Sequence, residues 1–190
     1  MNTPAHVVLN LLCLNSVTPV HALTPIVAGA VLPDAPIFLF YFVEKVVRQT
    51  PENVIWTEAY YQPSWQNFID LFNSLPLMAL GMLIAIAMGS NIGILLFGSM
   101  VLHVVGDLPL HHDDGHRHFF PLSDWRFSSP VSYWDPNHYG HWVSMIEIAA
   151  VIVSCILLFQ TYDSLVPRLT IGLVGTSYAL YFGYVFLVWV

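Results

Sequence analysis

Long apolar segments constrain the fold of this chain more than any other feature of its sequence. A membrane helix needs about 20 mostly apolar residues; four segments meet that requirement and a fifth, slightly short, nearly does. The four are Ala22–Val43, Phe68–Met88, Trp142–Phe159 and Leu169–Val190, and the short one is Asn91–Val105. Another apolar run, Ala5–Leu14, is too short to span. We therefore predict an all-α polytopic membrane protein with about four to five membrane helices.

The composition agrees with a membrane protein that lies in one integral-membrane domain, residues 1–190. Hydrophobic residues make up 56% of the chain and the mean hydropathy is +0.66, whereas soluble domains are roughly 45–50% apolar. A net charge of −7 with only five Lys and Arg residues argues against binding to nucleic acid, which needs a basic surface. The expected partner is the lipid bilayer, and the oligomeric state stays open.

Two polar connections interrupt the apolar segments, Glu44–Asn67 and Leu108–His141. If the membrane segments alternate in direction, both connections fall on the same side of the membrane. That side carries four of the five cationic side chains, Lys45, Arg48, Arg117 and Arg126, with Arg168 opposite. The excess of positive charge predicts that this side faces the cytoplasm.

The second connection opens with the stretch HVVGDLPLHHDDGHRH, from His103 to His118. It holds five histidines and three aspartates in sixteen residues, in a chain with only 9% charged residues. Ionisable groups are costly near the membrane interior and are retained mainly where they bind something. Imidazole and carboxylate groups together suit zinc, iron, manganese or similar divalent ions. The stretch therefore predicts a metal site, with a His/Asp-rich loop, at the membrane–water boundary.

His103 and Asp107 stand four residues apart at the end of an apolar segment. On a helix this spacing places both side chains on one face, one turn apart. Such a pair can hold a divalent ion, or Asp107 can orient a ligating histidine. The alternative is a histidine–aspartate hydrogen bond at a helix end.

The loop that follows contains six further candidates: His111, His112, Asp113, Asp114, His116 and His118. The alternative interpretation is a solvated polar loop. His112 and His116 share a face if the segment is helical, whereas His116 and His118 share a face if it is extended. The sequence leaves this choice open.

Three more ionisable residues lie upstream of this stretch, at Asp34, His6 and His21. Asp34 lies in the apolar run GAVLPDAP, where an unpaired carboxylate is costly, so it should pair, ligate a metal or lie at a helix break. Pro33 and Pro36 favour a break, and we favour a ligand role for Asp34. His6 is either a ligand or a histidine at headgroup level, and His21 is expected to be structural.

Three motifs of this chain resemble the YdjM-type family of membrane-bound, metal-dependent hydrolases: LPD, HxxxD closing an apolar helix, and FPLSDWRF. That family is distantly similar to the all-helical zinc-dependent phospholipases C. A bacterial membrane-protein group is more similar still. It shares the NTPxH start, GAxLPD, EAYYxPxWQNFxDLFxSxPL, HHDDxHRHFFPLSDWRF and SPVSYWDP. The resemblance covers roughly residues 1 to 148.

The resemblance implies a bacterial inner-membrane protein whose metal ligands lie among His6, Asp34, His103, Asp107 and the group from His111 to His118. Zinc is the first expectation for the metal, with manganese or iron as alternatives. Where the family commonly has a histidine, this chain has Asn73, and an amide oxygen is a poorer ligand for zinc. The change weakens one metal position, favours a harder ion or marks a protein without activity.

These observations lead to one main hypothesis and two rivals. The main hypothesis is a metal-dependent hydrolase acting on a phosphoester or related bond of a lipid-linked substrate, with Asp113 or Asp114 as general base. The first rival is a non-catalytic membrane protein whose His/Asp cluster binds metal or fixes the fold. The second is an accessory of metal-ion transport, with the loop as a collecting site.

Overall fold

The computed structural model describes residues 1–15 and 23–189, and every regular element in those ranges is helical. The α-helices are α1 (Thr3–Asn15), α2 (Leu23–Val31), α3 (Ala35–Phe42), α4 (Glu52–Val54), α5 (Pro63–Phe72), α6 (Leu75–Ala87), α7 (Asn91–Asp107), α8 (Gly140–Thr161) and α9 (Leu165–Trp189). Shorter π-helical turns are Val43–Val47 and Ile55–Ala59, and 3₁₀ turns are Leu108–Leu110 and Pro136–His138. His21 lies outside the described residues.

The described residues contain three helical stretches that are long and apolar enough to cross a membrane. They are Pro63–Ala87, Asn91–Leu110 and Gly140–Thr161. A fourth candidate is the pair Leu23–Val31 and Ala35–Val47, which passes the same test together but is bent by 54°. The protein is therefore an all-α integral membrane protein, as predicted, and the count reaches four when the bent pair is one span.

The first and last apolar segments need separate treatment. The helix over Thr3–Leu14 is apolar but shorter than a span, in agreement with the run predicted to be too short. α9 covers most of the predicted span Leu169–Val190. Residues 185–190 lie outside those whose side chains are described, so that span stays a prediction.

The break between α2 and α3 lies where the prolines predict it. Pro33 has no backbone N–H to continue the helix, and Pro36 follows in the first turn of α3, where proline is tolerated. Asp34 occupies the N-cap position of α3. The bend therefore places a carboxylate at an interruption of the apolar segment.

α2 and α7 approach each other closely through small side chains. A Cβ atom at Gly29 would lie 2.3 Å from the carbonyl oxygen of Leu96, so only glycine fits there. Ser99 donates a hydrogen bond to the carbonyl of Ile26 at 2.6 Å, and Asn10 of α1 donates to Ser99 Oγ at 2.9 Å. Small and polar residues of this kind hold membrane helices together. They fix α1, α2 and α7 side by side.

α1 is also held from its other side by α8. Ala5 and Val8 of α1 are buried in one apolar cluster with Ile148 and Val151 of α8, and each is at most 2% exposed. Burying such side chains contributes roughly 1.5–3 kcal/mol for each larger one. α1 is therefore packed into the bundle although it is too short to span a membrane.

The two polar connections meet in the folded chain. Arg117 donates to Asn67 Oδ1 at 2.6 Å, and Arg126 donates to Gln66 Oε1 at 2.7 Å. These bonds join the second connection to the first connection and the start of α5. Both connections therefore lie at the same end of the bundle, as the alternation of segments predicts.

Candidate metal centre

α7 places a histidine and an aspartate together near its C-terminal end. His103 Nε2 lies 3.1 Å from Asp107 Oδ2, and both residues are buried. The contact follows from their spacing, because residues four apart lie on the same face of an α-helix. The predicted pairing of these two residues is confirmed.

α1 brings His6 to the same point. Its Nε2 lies 2.9 Å from Asp107 Oδ1, and its ring stacks on that of His103 with centroids 3.6 Å apart. His6, His103 and Asp107 each offer one ligand atom, and these atoms lie within 4.8 Å of one another. Burial lowers the pKa of His6, which favours the neutral imidazole that binds metals. This buried group can hold a metal ion.

Asp34 lies beside the group at the break between α2 and α3. Its Oδ1 is 3.5 Å from His103 Nε2, and its Oδ2 accepts a hydrogen bond from Thr3 Oγ1 at 2.5 Å. Asp34 and His103 are thus brought together, although they are far apart in sequence. Asp34 is not one of the three residues whose ligand atoms lie within 4.8 Å of one another, and it borders that group through His103.

The hydrogen bonds of His103 identify the nitrogen that is free for a ligand. Its Nδ1 lies 2.8 Å from the carbonyl oxygen of Ala30, and because a carbonyl oxygen only accepts, Nδ1 carries the proton. The buried Nε2 makes no hydrogen bond, although carboxylate oxygens of Asp34 and Asp107 lie close to it. When His103 is protonated, the ring pairs directly with these carboxylates; when it is neutral, the Nε2 lone pair faces them, and a cation bound to all three groups would stabilise the arrangement. Ligating histidines are commonly held in this way through their other nitrogen.

His111 extends the centre toward the polar connection. Its Nε2 lies 3.6 Å from Asp107 Oδ1, and its Nδ1 lies 3.0 Å from Asp114 Oδ1. Burial by itself lowers the pKa of His111, but these two carboxylates outweigh burial and raise the pKa to about 9. The amino group of Met1 also lies 2.5 Å from Asp107 Oδ1. The carboxylates of Asp107 and Asp114 are therefore partly balanced by the cationic groups of Met1 and His111.

A cavity of about 540 Å³ opens beside the centre. Carboxylates of the centre and of the loop line it, namely Asp34, Asp107, Asp113 and Asp114. Other parts of its wall are apolar or aromatic, including Ile37, Phe38, Trp56, Tyr61 and Trp134. Mixed walls of this kind bind the apolar part of a ligand and orient it through a few polar groups.

The other predicted ligands of the loop lie in several different places. His112 Nδ1 donates to the carbonyl of Ser129 at 2.6 Å. His116 lines the cavity, with its Nδ1 3.6 Å from Asp70 Oδ1. His118 Nδ1 donates to the carbonyl of Asn73 at 3.3 Å. None of these three histidines belongs to the group formed by His6, His103 and Asp107, and their roles as ligands stay predictions.

Sequence reasoning missed Asp70, which organises the loop. Asp70 is fully buried in α5, and its Oδ2 accepts from Arg117 Nε at 2.5 Å. Its Oδ1 accepts from the backbone N–H of Arg117 at 3.2 Å, and Arg126 lies 3.6 Å from Oδ2. The available signal was an acidic residue inside the apolar segment Phe68–Met88, since intramembrane acids are rare and usually have a role.

Glu147 of α8 is an acidic residue inside a candidate membrane span. In the structure its Oε1 accepts from the side chain of Asn2 at 2.8 Å and from the hydroxyl of Tyr178 at 3.0 Å. Asn2 adjoins Thr3, which contacts Asp34. Glu147 therefore holds the residues before α1 against the bundle and supports the centre indirectly.

Asn73, which stands where the resembled family commonly has a histidine, has a structural role. Its amide donates to the carbonyl of Pro33 at 3.1 Å and to the carbonyl of Ile69 at 3.2 Å. Pro33 directly precedes Asp34, so Asn73 ties the end of α5 to the break that carries this carboxylate. The amide is therefore engaged by backbone groups.

Comparison with known proteins gives no match: no protein-family model, no curated protein and no solved structure matches the chain. A functional proposal for this protein therefore rests on its residues and on the geometry of the centre.

Proposed function

We propose that this protein is a membrane-bound, metal-dependent hydrolase that cleaves a phosphoester or related bond of a lipid-linked substrate. The observation that carries the proposal is the buried group of His6, His103 and Asp107 beside a cavity with carboxylate and aromatic walls. The resemblance of the LPD, HxxxD and FPLSDWRF motifs to the YdjM-type hydrolases supports the same chemistry.

Zinc is the metal that we propose, with manganese or iron as alternatives. His6, His103, Asp107 and Asp34 would hold it, since two imidazoles and two carboxylates form a donor set that zinc accepts. When bound, the metal supplies a Lewis acid and a water of lowered pKa. The carboxylates of the centre balance the charge of a divalent ion at the edge of the membrane.

The two aspartates of the loop would have different roles. Asp114 Oδ2 accepts from Trp134 Nε1 at 3.0 Å while its Oδ1 faces His111, so it would orient that histidine. Asp113 is exposed and lines the cavity. It is therefore the better placed of the two to take a proton from the attacking water.

The walls of the cavity favour a substrate with a hydrocarbon part. Phe38 and Trp56 line the cavity and are 55% and 43% exposed. Phe38 belongs to α3, which is part of the bent candidate span. An acyl or isoprenoid chain would cover such side chains and remove apolar surface from water, while its phosphoester would reach the carboxylate end.

An Asp113→Asn variant should keep its metal but lose turnover by about 10²–10⁴-fold, because the general base is removed while the ligands stay. The measurement is release of phosphate or headgroup from a lipid phosphoester in mixed micelles, with metal content determined on the same sample. A water-soluble phosphoester with the same headgroup, assayed in parallel, should react more slowly.

Asp163→Asn is the matched control, because Asp163 is 99% exposed and does not line the cavity. Its turnover should equal that of the parent. If the Asp113→Asn variant turned over substrate as fast as the parent, Asp113 would not be the general base. A metal-loaded parent that cleaves no phosphoester would instead favour the non-catalytic alternative.

We also propose that the protein lies in a bacterial inner membrane with its polar connections in the cytoplasm, because these connections carry most of its cationic residues. With Cys13 and Cys155 replaced by alanine, a cysteine at exposed Ser128 should resist an impermeant thiol reagent in intact cells. A cysteine at Asp163, beyond the other end of α8, should react. The opposite labelling pattern would reverse the proposed orientation.

A further inference from the structure

Two histidines of the second polar connection stack on each other away from the buried group. The rings of His112 and His138 lie with their centroids 3.6 Å apart and their planes 20° apart. His112 belongs to the HHDD motif, and His138 ends the 3₁₀ turn that precedes α8. The side chain of His138 is 33% exposed, so the pair is accessible from solvent.

The hydrogen bonds of the pair identify which nitrogens are free. His112 Nδ1 lies 2.6 Å from the carbonyl oxygen of Ser129, and His138 Nδ1 lies 2.6 Å from Asp135 Oδ2. Both acceptors lack a proton to donate, so each Nδ1 carries the hydrogen. In the neutral form both Nε2 atoms therefore hold a lone pair.

The acceptors themselves are held in place. Asp135 Oδ1 accepts from the backbone N–H of Asn137 at 2.9 Å, which orients the carboxylate that faces His138. Ser129 donates a backbone hydrogen bond to the carbonyl of His111 at 2.9 Å. Histidines whose second nitrogen donates to a fixed carboxylate or carbonyl are the usual form of histidine ligands in metal sites.

We propose that His112 and His138 form a second divalent-metal site, open to solvent and separate from the buried group. Two nitrogens that bind one ion at about 2.0–2.1 Å lie at most about 4 Å apart, so the two rings would turn out of their stacked arrangement until both Nε2 lone pairs point at one ion. Water would complete the coordination. The class of ligand is an ion that prefers imidazole, such as Zn²⁺, Cu²⁺ or Ni²⁺.

This assignment divides the HHDD motif between two sites. His111 faces Asp107 and Asp114 of the buried centre, while its neighbour His112 turns toward His138. The second site does not depend on the hydrolase proposal, because it shares no residue with the buried group.

The test counts bound zinc in the purified, detergent-solubilised full chain by equilibrium dialysis. The parent should bind one more Zn²⁺ per chain than a His112→Ala/His138→Ala variant, while the tightly bound ion of the buried centre remains in both. With Cu²⁺ as the probe, nitrogen hyperfine splitting from two imidazoles should appear in the parent and disappear in the variant.

His141→Ala is the matched control, because His141 is an exposed histidine beside the same turn and should leave the zinc count unchanged. An Asp135→Asn variant keeps both imidazoles and should weaken the second site by about 10–100-fold, with the buried ion retained. Equal zinc counts in the parent and in the double variant would overturn the proposal. Unchanged affinity in Asp135→Asn would contradict the proposed orientation of His138.

Discussion

A His103→Ala/Asp107→Ala variant should contain no tightly bound metal, whereas the parent should carry about one divalent ion per chain in its buried centre. The reason is geometric: these two residues supply an imidazole and a carboxylate that face each other at 3.1 Å, and His6 and Asp34, the proposed donors that remain, are too few to hold an ion tightly. Elemental analysis of both purified, detergent-solubilised proteins measures the difference.

Two controls make the result decisive. A His141→Ala variant removes an exposed histidine outside the centre, and its metal content should match that of the parent. Helical content and gel-filtration behaviour should show that the double variant is folded. A folded parent that lacks metal after growth with zinc, manganese and iron would contradict the hydrolase proposal and leave the buried cluster as a structural element.

An Asp70→Ala variant should lower the free energy of unfolding by about 2–3 kcal/mol and release the His/Asp-rich loop. Asp70 is fully buried and accepts from both the side chain and the backbone of Arg117, so its loss leaves a charged partner without its buried carboxylate. The expected cost is below the full range for breaking a buried ion pair because Arg117 keeps Asp124 at 2.7 Å. Unfolding in mixed detergent micelles measures the change, and faster proteolysis between residues 111 and 126 would show that the loop is released.

Asp124→Ala provides the matched comparison, because Asp124 pairs with the same arginine but its side chain is 87% exposed. Exposed ion pairs contribute little to stability, so this variant should unfold almost as the parent does. If Asp70→Ala and Asp124→Ala behaved alike, the buried contact would not be what holds the loop to α5.

The parts of the centre that depend on local spacing were predictable. His103 and Asp107 are four residues apart in a helix, and their contact follows from helical geometry. The break at Asp34 follows from Pro33, because proline cannot donate to the helix ladder. In both cases the controlling interactions lie within one or two turns of the chain.

The parts that depend on irregular backbone were not predictable. Between His111 and His118 the sequence has neither helical nor strand periodicity, so it does not indicate which way each side chain points. In the structure His111 faces Asp107 and Asp114, whereas His112 stacks on His138. Asp70 was overlooked because its partners, Arg117 and Arg126, lie more than 40 residues away in the sequence. The role of Asn73 at the α2–α3 break was not predictable for the same reason, because its partner, the carbonyl of Pro33, lies 40 residues away in the sequence.

Hydropathy and helical spacing are local properties, so they are enough to predict an all-helical membrane protein with an ionisable cluster at the end of an apolar helix. The contacts of His6 with Asp107 and of Asp34 with His103 instead depend on how the helices pack. His6 and Asp107 are 101 residues apart in the chain, and the close packing of α1, α2 and α7 around Gly29 and Ser99 brings them together. The convergence of side chains that are distant in sequence is set by how helices pack, which no single segment encodes.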